Sequence, residues 1–320
     1  MEPTHRTVVT NGIRMHIAEA GEGPLVVLLH GFPESWYSWR HQLRALADAG
    51  YHAVAPDQRG YGRTDRPDEP ATYTQLHLVA DVVGLLAALG GERAVVVGHD
   101  WGAPVAWNTA LLRPDLVRGV TGLSVPYMPR GDVDVLTTLE QMLGPNNYQA
   151  YFQEPGVAEA DLERDVRSTV LQSLYQGSGD NPAPFDLSGA TGSHFADPGV
   201  AAPDVLPAWL TEADIDYFTA EFERTGFRGG LNWYRTSRQN WELLAPWHQA
   251  PLHAPALYVG GDRDVVVQWP GIRDYIGVMQ MFVPNLTKAV VLEGCGHWTQ
   301  QERAAEVNAL LLEFLAGLGS

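Results

Sequence analysis

Hydrophobic residues in this chain fall into two rhythms that alternate along its first 125 positions. Leu25–Leu29 (LVVLL) and 94–97 (AVVV) are apolar without polar interruption. Such runs suit strands covered on both faces, as in a parallel sheet. Segments 14–18, 52–55 and 119–123 read as further strands. Between these runs, 36–47, 76–89 and 105–112 repeat apolar residues at the three-to-four spacing of an amphipathic helix.

Near Pro126 the rhythm stops. From there to about Trp247 no buried strand is predicted. Helical patterns occur at 161–175 and 212–223, and the Gly/Pro/Asp-rich stretch 177–207 reads as loop. The α/β rhythm then resumes, with strands at 256–259 and 288–292 and a closing helix at 302–318. The expected architecture is an α/β core, 1–128 and 248–320, interrupted by a mainly helical cap, 129–247.

Composition narrows the function classes. The formal net charge is −17. Nucleic-acid binding draws on basic patches that neutralise phosphates, so no nucleic-acid partner is expected, nor an anionic membrane surface. The plain reading of the charge is solubility. The lone cysteine, Cys295, rules out an intrachain disulfide and a multi-cysteine zinc site. Residues 1–11 lack the apolar run of a secretory signal, and no stretch approaches the ~18 apolar residues of a spanning helix. A soluble cytoplasmic protein is expected, with a homodimer left open.

The most informative segment is 98–102, Gly-His-Asp-Trp-Gly. It follows a buried strand and opens a helix, the setting of a nucleophile elbow. Its central residue, Asp100, is a carboxylate rather than a hydroxyl. A carboxylate is already ionised near neutral pH. It can displace a leaving group at saturated carbon and form an ester, which an activated water must then hydrolyse. The plainer alternative is that Asp100 caps the following helix.

Partners for such a nucleophile stand where the chain order nucleophile–acid–histidine puts them. His297, in Gly294-Cys295-Gly296-His297-Trp298, follows the last predicted strand and is the expected base. Two aspartates compete to orient it in Gly260-Gly261-Asp262-Arg263-Asp264. Asp264 is favoured; Asp262 is expected to cap or to pair with Arg263. His30-Gly31-Phe32-Pro33 follows the strand Leu25–Leu29, so the backbone N–H groups of Phe32 and Trp101 are candidate oxyanion donors. A simple turn would account for that string equally well.

Taken together, 30–40 (HGFPESWYSWR), 98–102 (GHDWG), 148–159 (YQAYFQEPGVAE), 226–234 (GFRGGLNWY) and 295–300 (CGHWTQ) resemble the epoxide hydrolases of the α/β-hydrolase superfamily. The hydrolase domain of the vertebrate soluble enzyme is especially similar. The resemblance implies an α/β-hydrolase fold, a small apolar epoxide as substrate, a vicinal diol as product and no cofactor or metal. It also implies that two cap tyrosines hold the epoxide oxygen. They map onto Tyr148 and Tyr234, with Tyr151 as a rival that the spacing to Phe152-Gln153 disfavours. Phe32 and Trp101 would share in binding substrate. The vertebrate protein's additional phosphatase domain has no counterpart in these 320 residues, so that activity is not expected. Stretch 177–207 has no clear match and is expected to shape the pocket.

Two other readings compete. A haloalkane dehalogenase shares the Asp elbow, but its halide needs N–H donors such as indoles, and the chain has 10 tryptophans. A non-enzymatic binding protein on the same fold is the second, since fold alone does not establish activity. A serine esterase is disfavoured because no serine occupies the elbow, and Cys295 is wrongly placed for a nucleophile.

Overall fold

The computed structural model describes residues 2–91, 93–183, 203 and 205–319. Eight strands, β1 (Thr4–Thr10), β2 (Ile13–Ala20), β3 (Leu25–Leu29), β4 (His52–Pro56), β5 (Ala94–His99), β6 (Val117–Leu123), β7 (Ala256–Gly261) and β8 (Leu286–Leu292), form one sheet in the order β1-β2-β4-β3-β5-β6-β7-β8. From β4 to β8 every pairing is parallel; β1 and β2 run antiparallel at one edge.

The unbroken apolar strands are explained by what covers them. Val26, Leu28, Val95 and Val97 pack with Leu43 and Leu46 of α1 (Arg40–Asp48). Val27, Leu29 and Val96 face the other way, onto α2 (Gln75–Ala88) and α3 (Gly102–Leu112). Each fully buried side chain of this kind contributes roughly 1.5–3 kcal/mol.

Between β6 and β7 lies the helical insertion: α4 (Val135–Leu143), α5 (Tyr148–Tyr151), α6 (Val157–Leu162), α7 (Val166–Gln176), α8 (Glu212–Thr225), α9 (Arg228–Arg235) and α10 (Ser237–Leu243). Its entry and exit pair with each other: Arg130 and His248 form an isolated parallel bridge, and Gln249 N–H donates to the Arg130 carbonyl at 3.0 Å. After β7 come α11 (Ile272–Val278), α12 (Thr299–Glu302) and α13 (Ala304–Gly317). Val307, Leu311 and Phe314 of α13 cover the same sheet face as α1.

Several elements depart from the sequence expectation. The helix expected at 161–175 is two helices, because Asp165 turns out of the first and caps the second, accepting Ser168 N–H at 3.0 Å. The one expected at 36–47 opens as a 3-10 turn over Trp36–Trp39, and the one at 302–318 breaks at Arg303. Strand β1 carries little hydrophobic signal, since only Val8 and Thr10 are buried on it. Its local cue is the Asn11-Gly12 pair, with φ of 43° and 79°, the primed turn of a two-residue hairpin. Of the loop expected at 177–207, positions 184–202 and 204 lie outside the described residues; the described flanks hold neither helix nor strand.

Candidate active site

The chain leaves β5 through a turn in which Asp100 has φ of 48°, left-handed for a residue with a side chain. That conformation costs on the order of 1–3 kcal/mol and persists only where surroundings over-determine it. Here they do. A Cβ at Gly98 would sit 2.0 Å from the Gly102 carbonyl oxygen, and one at Gly102 would sit 2.1 Å from that of Leu29. Only glycine lets β5, the turn and the start of α3 approach this closely. The Asp100 side chain does not cap α3, whose N-cap residue is Trp101. It turns the other way: Phe32 N–H donates to Asp100 Oδ1 at 2.8 Å, and the Trp101 backbone N–H also bonds the carboxylate. The two expected oxyanion donors thus converge on one carboxylate. Phe32 is joined to Pro33 by a cis peptide bond.

His297 lies opposite. Its Nε2 is 3.6 Å from Asp100 Oδ2, and its Nδ1 is 3.0 Å from Asp264 Oδ1. Asp264 is fully buried, and its Oδ1 also accepts Val266 N–H at 3.0 Å. Burial alone disfavours a charged imidazole. The Asp264 and Asp100 carboxylates outweigh it and raise His297 to about 9. Asp100 is shifted upward by burial, against the pull of His297 and the backbone donors. Of the competing aspartates, Asp264 reaches the histidine. Arg263, expected beside Asp262, instead donates from Nη1 to the Gly179 carbonyl at 2.6 Å, because the peptide it faces belongs to the insertion.

Tyr148 opens α5 and Tyr234 lies on α9, with ring centroids 6.1 Å apart at nearly a right angle. Both hydroxyls accept a hydrogen bond, from Gln149 Nε2 at 2.8 Å and from the Trp101 indole respectively. Burial, with the Asp100 charge added to it, keeps both phenols well above their usual range. They are O–H donors at any ordinary pH. Tyr151, the rival, points away and bonds Asp161 Oδ2 at 2.5 Å. A cavity of about 50 Å³ separates these groups, lined by Phe32, Asp100, Tyr148, Tyr234, His297 and Trp298 among others. Trp101 does not line it; its indole packs edge-on against Tyr234, 5.0 Å between centroids.

Sequence reading missed the support beneath the site. Glu34 and His99 are both fully buried, Oε2 to Nδ1 2.7 Å, and His99 Nε2 bonds the His297 carbonyl at 2.7 Å. Burial opposes the Glu34 charge, but His99 and the Ser38 and Gly31 donors bring the carboxyl down to about 2. Ser124, at φ 68°, reaches His297 Nδ1 at 3.2 Å. Glu34 and His99 stand inside the HGFPE and GHDWG strings, so the signal was present as a charge at a position that folds into the core.

Comparison with known proteins places the chain in a family. The alpha/beta hydrolase fold family matches residues 24–304. Epoxide hydrolase 1 of Siraitia grosvenorii is 46% identical over 97% of both chains. Epoxide hydrolase A of Mycobacterium tuberculosis (strain ATCC 25618 / H37Rv) is also 46% identical, over 99% of this chain and 98% of that one. The solved structure of an epoxide hydrolase from an endophytic Streptomyces superposes with a TM-score of 0.90 at 49% identity, over 99% of this chain and 96% of that one. Sequence and fold agree over nearly the whole length, and the chain belongs to the epoxide hydrolases of the α/β-hydrolase fold.

Proposed function

We propose that Asp100 is the nucleophile of this epoxide hydrolase, His297 the water-activating base, Asp264 its orienting acid, and Tyr148 and Tyr234 the donors to the epoxide oxygen. The observation that carries the reading is the double engagement of the Asp100 carboxylate. Oδ1 is held by the Phe32 N–H at 2.8 Å, while Oδ2 faces His297 Nε2 at 3.6 Å. Oδ2 is the oxygen turned toward the cavity chemistry. It attacks a ring carbon while the phenols protonate or hydrogen-bond the departing oxygen, which is strongly basic as an alkoxide.

Ester formation removes the Asp100 charge. That charge is one of the carboxylates holding His297 up, so the imidazolium now gives up its proton, which passes to the phenols and replaces the one delivered to the opened epoxide oxygen, and the histidine is left a neutral base. It takes a proton from water, and the hydroxide adds to the Asp100 carboxyl carbon. Oδ1 then carries the negative charge, already held by the Phe32 N–H, with the Trp101 N–H on the same carboxylate. Collapse breaks the bond between the carboxyl carbon and Oδ2; the departing Oδ2 takes the imidazolium proton, the diol leaves with Oδ2, and Asp100, now holding the water oxygen, returns its carboxyl proton to His297.

The fold division belongs to the same proposal: a core of 1–128 and 248–320, and a cap of 129–247 that brings the tyrosines over the nucleophile. A small apolar epoxide suits the aromatic lining and the restricted volume. The lone, buried Cys295 suits a reducing compartment, in line with the cytoplasm. A halide substrate is less well served, because the Trp101 indole is already spent on Tyr234.

His297→Gln tests the scheme. Ester hydrolysis should slow by about 10²–10⁴-fold while alkylation continues. Intact-mass analysis after adding an aryl epoxide should then show a one-substrate adduct, mapped to the peptide holding Asp100 and missing in Asp100→Ala. No adduct in His297→Gln, or an adduct elsewhere, would remove Asp100 from the role.

A further inference from the structure

A single buried carboxylate fastens the loop that carries His297. Glu302, at the end of α12, accepts Gly296 N–H at 2.9 Å and Gly179 N–H at 2.8 Å on Oε2, and Trp298 N–H at 3.0 Å on Oε1. Gly296 and Trp298 are the residues on either side of His297. Gly179 belongs to the insertion, two residues past Gly177, whose carbonyl accepts the His297 N–H at 2.7 Å. The two backbones touch: a Cβ at Gly296 would lie 2.2 Å from Gly179 N.

Three N–H groups converge on one buried carboxylate. Hydrogen bonds to a charged acceptor are about twice as strong as neutral ones, and an N–H left unmet in the interior is destabilising. Glu302 is not among the residues lining the cavity, so it does not touch substrate.

We propose that Glu302 is the positioning residue for the water-activating step, holding His297 in line between Asp264 and Asp100 and tying its loop to the segment 177–179 of the insertion. The inference rests on His297 being the base. Alkylation depends less on this clamp: Gly177 and Trp298 line the cavity, but Asp100 is fixed by the glycine crossings of its own turn and Tyr234 sits on a different part of the insertion. Hydrolysis does run through it, since a base displaced by about 1 Å loses on the order of 10²-fold.

Glu302→Gln is the decisive variant. It keeps the shape but supplies one oxygen, so one side of the clamp meets an NH₂ group instead of an acceptor. Ester hydrolysis in single-turnover kinetics should slow by about 10–100-fold, with alkylation within about threefold of wild type. In the steady state kcat and KM should fall together, kcat/KM should hold, and the Asp100 adduct should accumulate in intact-mass spectra. Equal losses in kcat and kcat/KM at unchanged KM would mean that folded enzyme is simply lost, and would overturn the proposal. So would wild-type kinetics, or a Gln variant that does not fold. Glu302→Ala should show the same split, larger. His297→Gln run alongside separates the two readings. If it hydrolyses its ester at the wild-type rate, the base assignment fails and Glu302 falls with it. If it is blocked while Glu302→Gln is normal, Glu302 alone falls.

Discussion

The core and the insertion hold their functional side chains by different means. At the nucleophile elbow of the core, position is set by backbone against backbone. The Asp100 turn is pinned where Gly98 and Gly102 let main chains cross, and a Cβ at Gly31 would lie 2.3 Å from Asp100 Oδ1. In the insertion, one such crossing, Gly229 of α9 with its Cβ position 2.0 Å from the Gly60 carbonyl oxygen, is joined by many side chains reaching across short helices. Asn147 caps α5 by accepting the Gln149 and Ala150 N–H groups. Gln153 Nε2 spans from the Gln149 carbonyl at 2.9 Å to that of Tyr234 at 3.2 Å. Arg235 grips Glu159 with both terminal nitrogens, at 2.8 and 2.9 Å, and donates from Nε to the Phe152 carbonyl at 3.0 Å. A backbone crossing has no rotamers to lose, whereas each side-chain strut must be ordered against its own entropy. The nucleophile therefore stands on the stiffer platform, and the groups that meet the leaving oxygen stand on the more adjustable one.

The largest break in this comparison comes from taking both donors out of the insertion. Tyr148→Phe with Tyr234→Phe should cut the alkylation rate by about 10⁴-fold or more, and each single change by about 10²–10³-fold. Rapid-mixing fluorescence of ester formation measures it. Ester hydrolysis, measured on ester already formed, should move little, because that step belongs to the core. Equal damage to both steps would show that the division of labour is wrong.

A smaller effect lies within the core. Asp264→Asn removes the largest influence holding His297 at about 9, so the imidazole should titrate lower in an NMR pH series. Turnover should fall by roughly 10²–10⁴-fold, since tautomer control is lost while the geometry stays. Stability carries a matching signature. A histidine raised from 6.5 to about 9 adds stability that is fully present below pH 6.5 and lost as pH rises through about 9. The melting-temperature gap between wild type and Asp264→Asn should therefore narrow between pH 6 and pH 10. A gap constant across that range would mean that Asp264 does not govern the histidine's charge.

The same contrast explains what could be read from the sequence. Gly98, Gly102 and Gly296 flag their turns because close main-chain approach demands that residue type, Gly294 because its φ is 64°, and 94–97 announces its strand by being covered on both faces. Asp100, His297 and Asp264 were legible for that reason. Tyr148 and Tyr234 were legible only through family resemblance. Helices α5 and α9 are short, four and eight residues, and their alignment depends on Arg235, Gln153 and Asn147, whose partners lie up to 83 residues away. No periodicity encodes such contacts. Glu34 and His99 escaped because a polar residue beside a glycine turn suggests surface, and only the folded core shows the two hydrogen-bonded to each other.

Arg235 gives the finest test of the contrast, because it lies next to Tyr234 yet on the far side of the helix from the chemistry. Its side chain is 4% exposed and that of its partner Glu159 12%. Replacing it with Met leaves the Glu159 carboxylate buried without its cation, a change that costs about 3–5 kcal/mol when one partner of a buried pair is removed. If side-chain struts are what align the insertion, the cost should stay local. Tyr234 should lose its register with Tyr148, and alkylation should slow by about tenfold, a 1.4 kcal/mol loss of transition-state stabilisation. Hydrolysis of preformed ester should hold. Replacing Glu159 with Gln in the same chain removes the stranded charge, and should restore most of the stability without restoring the rate. That dissociation is the signature of a strut, since a pair that mattered only for stability would recover rate and stability together.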